Sequence, residues 1–180
     1  MEMRKNYNRS DGFSLLELLI TLLLLSVLFS LAIPPMAAFK ARQELNSFQQ
    51  DLTRLIQHAR HHALLNKTRV SICTTDHTGK CSTLEYGTLT SFIDEKGRRM
   101  LKDDTDILMR LDIPGSLKIQ WRGMRPRSSL HFSPYGMTFV SNGTFTLCHR
   151  KPNAHHLKTV ISLQGRIRSS RIPAQCPRDS

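Results

Sequence analysis

Acidic residues are scarce in one part of this 180-residue chain. Residues 110–180 hold only Asp112 and Asp179 against 12 Lys and Arg, whereas residues 1–109 hold 14 basic and 12 acidic residues. A near-neutral front joined to a basic back points to a polyanionic partner for the back; solubility is the plainer use of the same charge. Internal repeats and low-complexity stretches are absent, which removes solenoid and collagen-like architectures. At 39% hydrophobic residues the chain is not disordered by composition, and it has too few long apolar runs for a multi-span membrane protein. Its length allows one ordinary domain plus an appendage. There is no GxSxG elbow, P-loop, HExxH or CxxC pair. No enzymatic activity, cofactor or metal is therefore expected.

One long apolar run is present. Polar residues 1–12 carry Arg4, Lys5 and Arg9, and are followed by Phe13–Ile33 with the single charge Glu17. As a helix that run measures about 30 Å, roughly one bilayer core. Basic residues ahead of it place the N-terminus in the cytoplasm. A secretory signal cut after Ala38 fits the small residues there, but the run is long for one and contains a carboxylate. A plain anchor leaves Glu17 unexplained, because a lone carboxylate in hydrocarbon is costly. Gly12-Phe13-Ser14-Leu15-Leu16-Glu17 resembles the class III signal of type IV pilins and pseudopilins. That resemblance implies cleavage after Gly12 by a prepilin peptidase and N-methylation of Phe13. It also implies pairing of Glu17 with the N-terminal amine of a neighbouring pilin in the filament. Pro34 falls where pilins often bend the helix.

Past Lys40 the pattern becomes amphipathic. Leu45, Phe48, Leu52, Leu55 and Ala59 recur every three or four residues, widened by Ile56 and Ala63. Asn66 is the expected stop. His58 and His62, four apart with His61 beside them, lack the Glu and third ligand of a zinc site, so solvated histidines are the simpler reading.

From Thr68 onward short alternating runs punctuated by glycine predict strands at 69–74, 84–94, 107–113, 117–121, 130–132, 137–141, 144–149 and 159–163. Asn142-Gly143 reads as a hairpin turn. Behind one helix, such strands predict an antiparallel sheet or sandwich packed on that helix. Export places Cys73, Cys81, Cys148 and Cys176 in an oxidising compartment. Four cysteines allow three pairings; economy of loop closure favours Cys73–Cys81 with Cys148–Cys176. The run Asp103-Asp104-Thr105-Asp106 lacks the glycine and terminal Glu of a calcium loop and reads as a solvated turn.

Two basic clusters stand in the back half. One is Lys118, Arg122, Arg125 and Arg127 around Trp121. The other is Arg150, Lys151, Lys158, Arg166, Arg168, Arg171 and Arg178. In an extended segment Arg166 and Arg168 share a face about 7 Å apart, near the phosphate spacing of one nucleic-acid strand. Gly165 permits a turn, and Ser169 and Ser170 can add phosphate contacts. Gly143–Cys148, the basic stretch after it and Val160–Arg168 with its GRxR segment resemble the C-terminal half of the GspH/FimT family of minor pilins. Within that family the GRxR segment is most similar to the FimT-type members, which bind DNA in natural transformation.

The resemblance implies an α+β, type IV pilin-like fold: a long N-terminal helix, membrane-spanning and then amphipathic, packed on an antiparallel β-sandwich head. Its expected parts are a leader at 1–12, a membrane or filament-core helix at 13–36, an amphipathic helix at 37–66 and a β-rich head at 67–180. It implies DNA contact by Arg166 and Arg168, with Gly165 setting the turn; charge adds Arg171, Lys158, Arg150 and Lys151, and contacts to phosphate make the expected binding sequence-independent. The expected location is the inner membrane with a periplasmic head, then a pilus on the cell surface. The alternative is a structural minor pilin or pseudopilin, GspH- or FimU-like, that primes filament assembly.

Overall fold

The computed structural model describes residues 14–82, 87–124, 128–150 and 156–173, with the backbone alone at 30–35. Strong helix formers dominate the front of the chain, and Leu15–Asn66 is a single helix of 52 residues, α1. Its helical assignment continues through Pro34 and Pro35. Lys67 ends it in the left-handed region at φ 51°, and Asn66 Nδ2 donates to the His62 carbonyl in the last turn at 3.2 Å.

The chain forms two compact units, residues 1–37 and 38–180. In the first, the apolar side chains from Leu15 to Phe29 are exposed on every side of the helix. Thr21 and Ser26 turn their hydroxyls back onto the carbonyls of Leu18 and Leu23, which suits apolar surroundings. Among the described residues no helix is long and apolar enough to cross a membrane. The span expected at 13–36 includes Phe13 and the side chains of 30–35, which lie outside the described residues.

In the second unit the expected seam of α1 is the buried one. Leu45, Phe48, Leu52, Leu55, Ile56, Ala59 and Ala63 are buried, joined by Ala41. They pack against two antiparallel sheets in one hydrophobic core. Burying each large side chain contributes roughly 1.5–3 kcal/mol.

The strands, in chain order, are β1 (Val70–Thr75), β2 (Cys81–Ser82), β3 (Thr88–Ile93), β4 (Ile107–Asp112), β5 (Leu117–Gly123), β6 (Leu130–Phe132), β7 (Gly143–His149), β8 (His156–Ile161) and β9 (Ile167–Ile172). The first sheet runs β2-β1-β3-β4, with β6 also pairing β1. The second runs β5-β7-β8-β9. Cys73 and Cys81 form the expected disulfide, with Cα atoms 5.5 Å apart. Within their loop Asp76 accepts from Thr78 and Lys80, and the Thr78 hydroxyl above all holds its carboxyl below the usual range.

Three readings of the sequence change. Residues 137–141 are not a strand. Thr138 gives its N–H to the Leu163 carbonyl and its hydroxyl to that of Ser162, Phe139 is left-handed at φ 46°, and Phe139–Ser141 closes as a 3₁₀ turn. Asn142-Gly143 is not a hairpin. Asn142 is extended, and Gly143 opens β7 opposite Gly123, where a Cβ would stand 2.3 Å from the Arg122 carbonyl oxygen. The dipeptide serves a close approach of two backbones rather than a turn. Finally, β9 is an additional strand, defined by its pairing with β8.

Asp103 caps a short 3₁₀ turn by accepting from Thr105, and Asp104 pairs with Arg110 at 3.0 Å. Among the described residues no group of three or more His, Cys, Asp or Glu is disposed to hold a metal. His58 and His61 are exposed and His62 is half-buried.

Candidate nucleic-acid interface

Strand periodicity gives the second sheet two faces. Leu117, Ile119, Trp121, Phe145, Leu147, Leu157 and Ile161 point to α1 and the core. Trp121 and Phe145 pack with ring centroids 4.4 Å apart. The alternate positions form the outer face.

Register then decides which outer residues become neighbours. Arg122 pairs with Thr144, Thr144 with Val160, and Val160 with Arg168. One row thus runs from an arginine on β5 to an arginine on β9. At ordinary strand spacing the two Cα atoms lie about 14 Å apart. The next row runs Gln120, Thr146, Lys158, Ser170, and Lys118 lies opposite Cys148 beyond it. Arg122 and Arg168 are exposed and Lys158 is half-buried. None of the four strands contains an acidic residue. Part of the first basic cluster and part of the second, far apart in sequence, therefore share one surface.

The other candidates are distributed around this face. Arg166 is exposed in the turn before β9, beside Gln57, Arg60 and His61 of α1. The strict alternation assumed for Arg166 and Arg168 thus begins only at Ile167. Arg171 is on the helix side, its Nη2 donating to Asn46 Oδ1 at 3.5 Å. Arg150 is exposed just beyond β7, with its N–H on the Ser116 carbonyl. Lys151, Arg125, Arg127 and Arg178 lie outside the described residues, as do Gly12 and Phe13. Glu17 is exposed in the first turn of α1. Cys148 is buried and not a free thiol; its expected partner Cys176 lies outside the described residues.

The turn carrying Arg166 is tightly specified. Gly165 is buried at φ 73°, and a Cβ there would stand 2.5 Å from the Gly136 carbonyl oxygen. The Gly165 N–H donates to Ser162 O, and the Arg166 N–H to Ser162 Oγ. Arg60 of α1 donates from Nε to Gly136 O and from Nη2 to Gln164 O, each at 3.0 Å. Thr138 secures the other side through the Ser162 and Leu163 carbonyls. Sequence reasoning missed Arg60 and Thr138 as positioning residues. Each carries no local sign of its distant partner.

Further ties align α1 with this sheet. Gln49 Nε2 donates to Thr159 Oγ1 at 3.3 Å, and Glu44 accepts from Ser116 and faces His149 Nε2 at 3.4 Å. The turn therefore sits on a rigid support, as a positioned contact requires.

Residues 49–165 match the family profile described as type II transport protein GspH. Residues 7–33 match the prokaryotic N-terminal methylation motif, which implies prepilin processing, membrane anchoring and a periplasmic or pilus location. No curated protein matches the chain. The type IV minor pilin FimU of Pseudomonas aeruginosa has a similar fold at 20% identity, TM-score 0.52, over 73% of this chain and 92% of that one. The minor pseudopilin EpsH of the type 2 secretion system of Vibrio cholerae aligns at 16% identity, TM-score 0.46, over 69% and 94%.

Proposed function

The chain belongs to the GspH family of pilin-like proteins, and we propose that it is a minor pilin that joins a type IV pilus and binds extracellular DNA through its basic sheet face. One observation carries the DNA reading. Lys118, Arg122, Lys158 and Arg168 share one face of a sheet whose four strands contain no acidic residue, Arg122 and Arg168 exposed upon it, with Arg166 on a braced turn at its edge. Such a surface meets phosphates without reading bases, so binding is sequence-independent. Arg150, exposed just beyond β7, extends the positive field around it, and Lys151 adds to the charge of that chain segment. A purely structural head gains nothing from this charge and repels its own copies.

In this reading the prepilin peptidase cuts after Gly12 and Phe13 becomes the methylated N-terminus. Glu17 then favours packing into a filament, where a neighbour's amine compensates its charge. Cys148–Cys176 ties the basic tail to β7. The head is periplasmic before assembly and on the cell surface after it, where a FimT-type role in transformation follows.

The FimU-like fold favours a second reading, a structural minor pilin that primes assembly. Titration of duplex DNA with the full chain in neutral detergent separates the two. DNA binding predicts a log–log salt slope of roughly −4 to −6 for about five phosphates. Arg166→Ala/Arg168→Ala and Lys118→Ala/Arg122→Ala should each reduce the slope and lower transformation while pili still form. Absence of binding at low salt, or normal transformation by both variants, establishes the structural role instead.

A further inference from the structure

The outer face of the second sheet contains no Phe, Tyr or Trp, since Trp121 and Phe145 point inward. Aromatic surface lies instead beside the Arg166 turn. Tyr135 is 71% exposed and Phe139 is 47% exposed. Each is one residue from an atom that touches the turn. Gly136 O receives Arg60 Nε and abuts Gly165, and Thr138 bonds the carbonyls of Ser162 and Leu163. Tyr135 occupies a tight turn closed by Gly136 N–H to Ser133 O. Phe139 adopts φ 46°, a conformation unfavourable for a bulky side chain, and still leaves about half of its surface exposed. Strain of this kind persists where the surroundings impose it and collects at functional sites. Here the residue before Phe139, Thr138, is held by the carbonyls of Ser162 and Leu163.

Two exposed rings therefore stand next in sequence to Gly136 and Thr138, which touch the turn that carries Arg166, and no acidic residue occurs within 133–142 or 162–168. Rings supply a π-face for bases, and arginine supplies charge for the adjoining phosphate. A duplex hides its base faces in the stack, so rings at this place engage unpaired nucleotides. We infer that Tyr135 and Phe139 form a base-stacking site for single-stranded nucleic acid at the edge of the basic face. The inference rests on the DNA-binding reading and adds a strand preference to it.

The test uses the full chain in neutral detergent, with a fluorescein-labelled 12-nucleotide oligothymidylate and a 12-base-pair duplex followed by anisotropy. Tyr135→Ala/Phe139→Ala should weaken the single strand at least about tenfold and the duplex less than about twofold. The single-strand salt slope should stay unchanged, because no phosphate contact is lost. Tyr135→Trp should retain the single-strand affinity. Unchanged Trp121 emission in the double Ala variant establishes that the fold is retained. Unchanged single-strand affinity in that variant, or an equal loss for both probes, overturns the stacking site while leaving DNA binding in place. Failure of the unmodified chain to bind either probe overturns both.

Discussion

Arg60 Nη2 donates to the Gln164 carbonyl oxygen at 3.0 Å across 104 positions of sequence. Its Nε holds Gly136 O at the same distance. The guanidinium is engaged on backbone acceptors, so its contribution to a DNA site is positional. Arg60→Met keeps the apolar stem and removes both bonds. Stability should fall by about 1–2 kcal/mol in urea titration. DNA affinity should fall with no change in salt slope, unlike the Arg166 and Arg168 variants.

Glycine at 165 and 143 answers two different demands. Gly165→Ala meets both a left-handed backbone and the Gly136 carbonyl, and should cost about 2 kcal/mol or more. Gly143→Ala drives a methyl group toward the Arg122 carbonyl oxygen and the Gly123 Cα at 2.6 Å, and should loosen the β5–β7 pairing. Gly115→Ala meets nothing within 4 Å and should leave the thermal midpoint within a degree or two. Equal melting of all three variants would contradict this ranking.

Cys73–Cys81 closes a loop with a sequence separation of eight. On loop-entropy grounds, Cys73→Ala/Cys81→Ala should lower stability by about 2–3 kcal/mol. Dithiothreitol should lower the urea midpoint of the unmodified chain by more than that of the variant, whose remaining response comes from the disulfide of Cys148.

His131 is buried opposite Ser71, and burial pushes its imidazole down to about 4, with the Arg69 and Arg99 charges adding to the effect and Asp94 opposing it. Among the described residues its Nδ1 has no hydrogen-bond partner, while Asp94 is satisfied by the Ser71 hydroxyl and the N–H groups of Arg98 and Arg99. Between pH 6.5 and about 4 the unfolded chain takes up a proton at this residue that the folded chain refuses. Stability is therefore full above pH 6.5 and falls as pH drops toward 4. His131→Gln should flatten that part of the stability–pH curve, measured by urea midpoints at fixed salt. An unchanged slope would remove His131 as the cause.

Much of the head was legible because its signals are local. The α1 seam follows from three- and four-residue spacing, and β6 occupies the predicted 130–132. Residues 137–141 misled because their alternation is overridden by bonds from Thr138 to a turn more than 20 residues away. β9 lacked a strand pattern because Ile167-Arg168-Ser169-Ser170-Arg171-Ile172 is polar on both faces; pairing with β8 defines it. Of the candidate site, Gly165 was read correctly as a turn glycine, but Arg60, which braces that turn, carried no sign of its partner.

By itself the sequence determined the processing motif, the buried stripe of α1, the short-range disulfide and the concentration of cations in the last 71 residues. Each follows from residues near one another in the chain. Only the tertiary structure decided which cations meet. Period-two alternation assigns a face within one strand, but the neighbour across the ladder is set by register. Register placed Arg122 in one row with Arg168 and turned Arg171 toward α1.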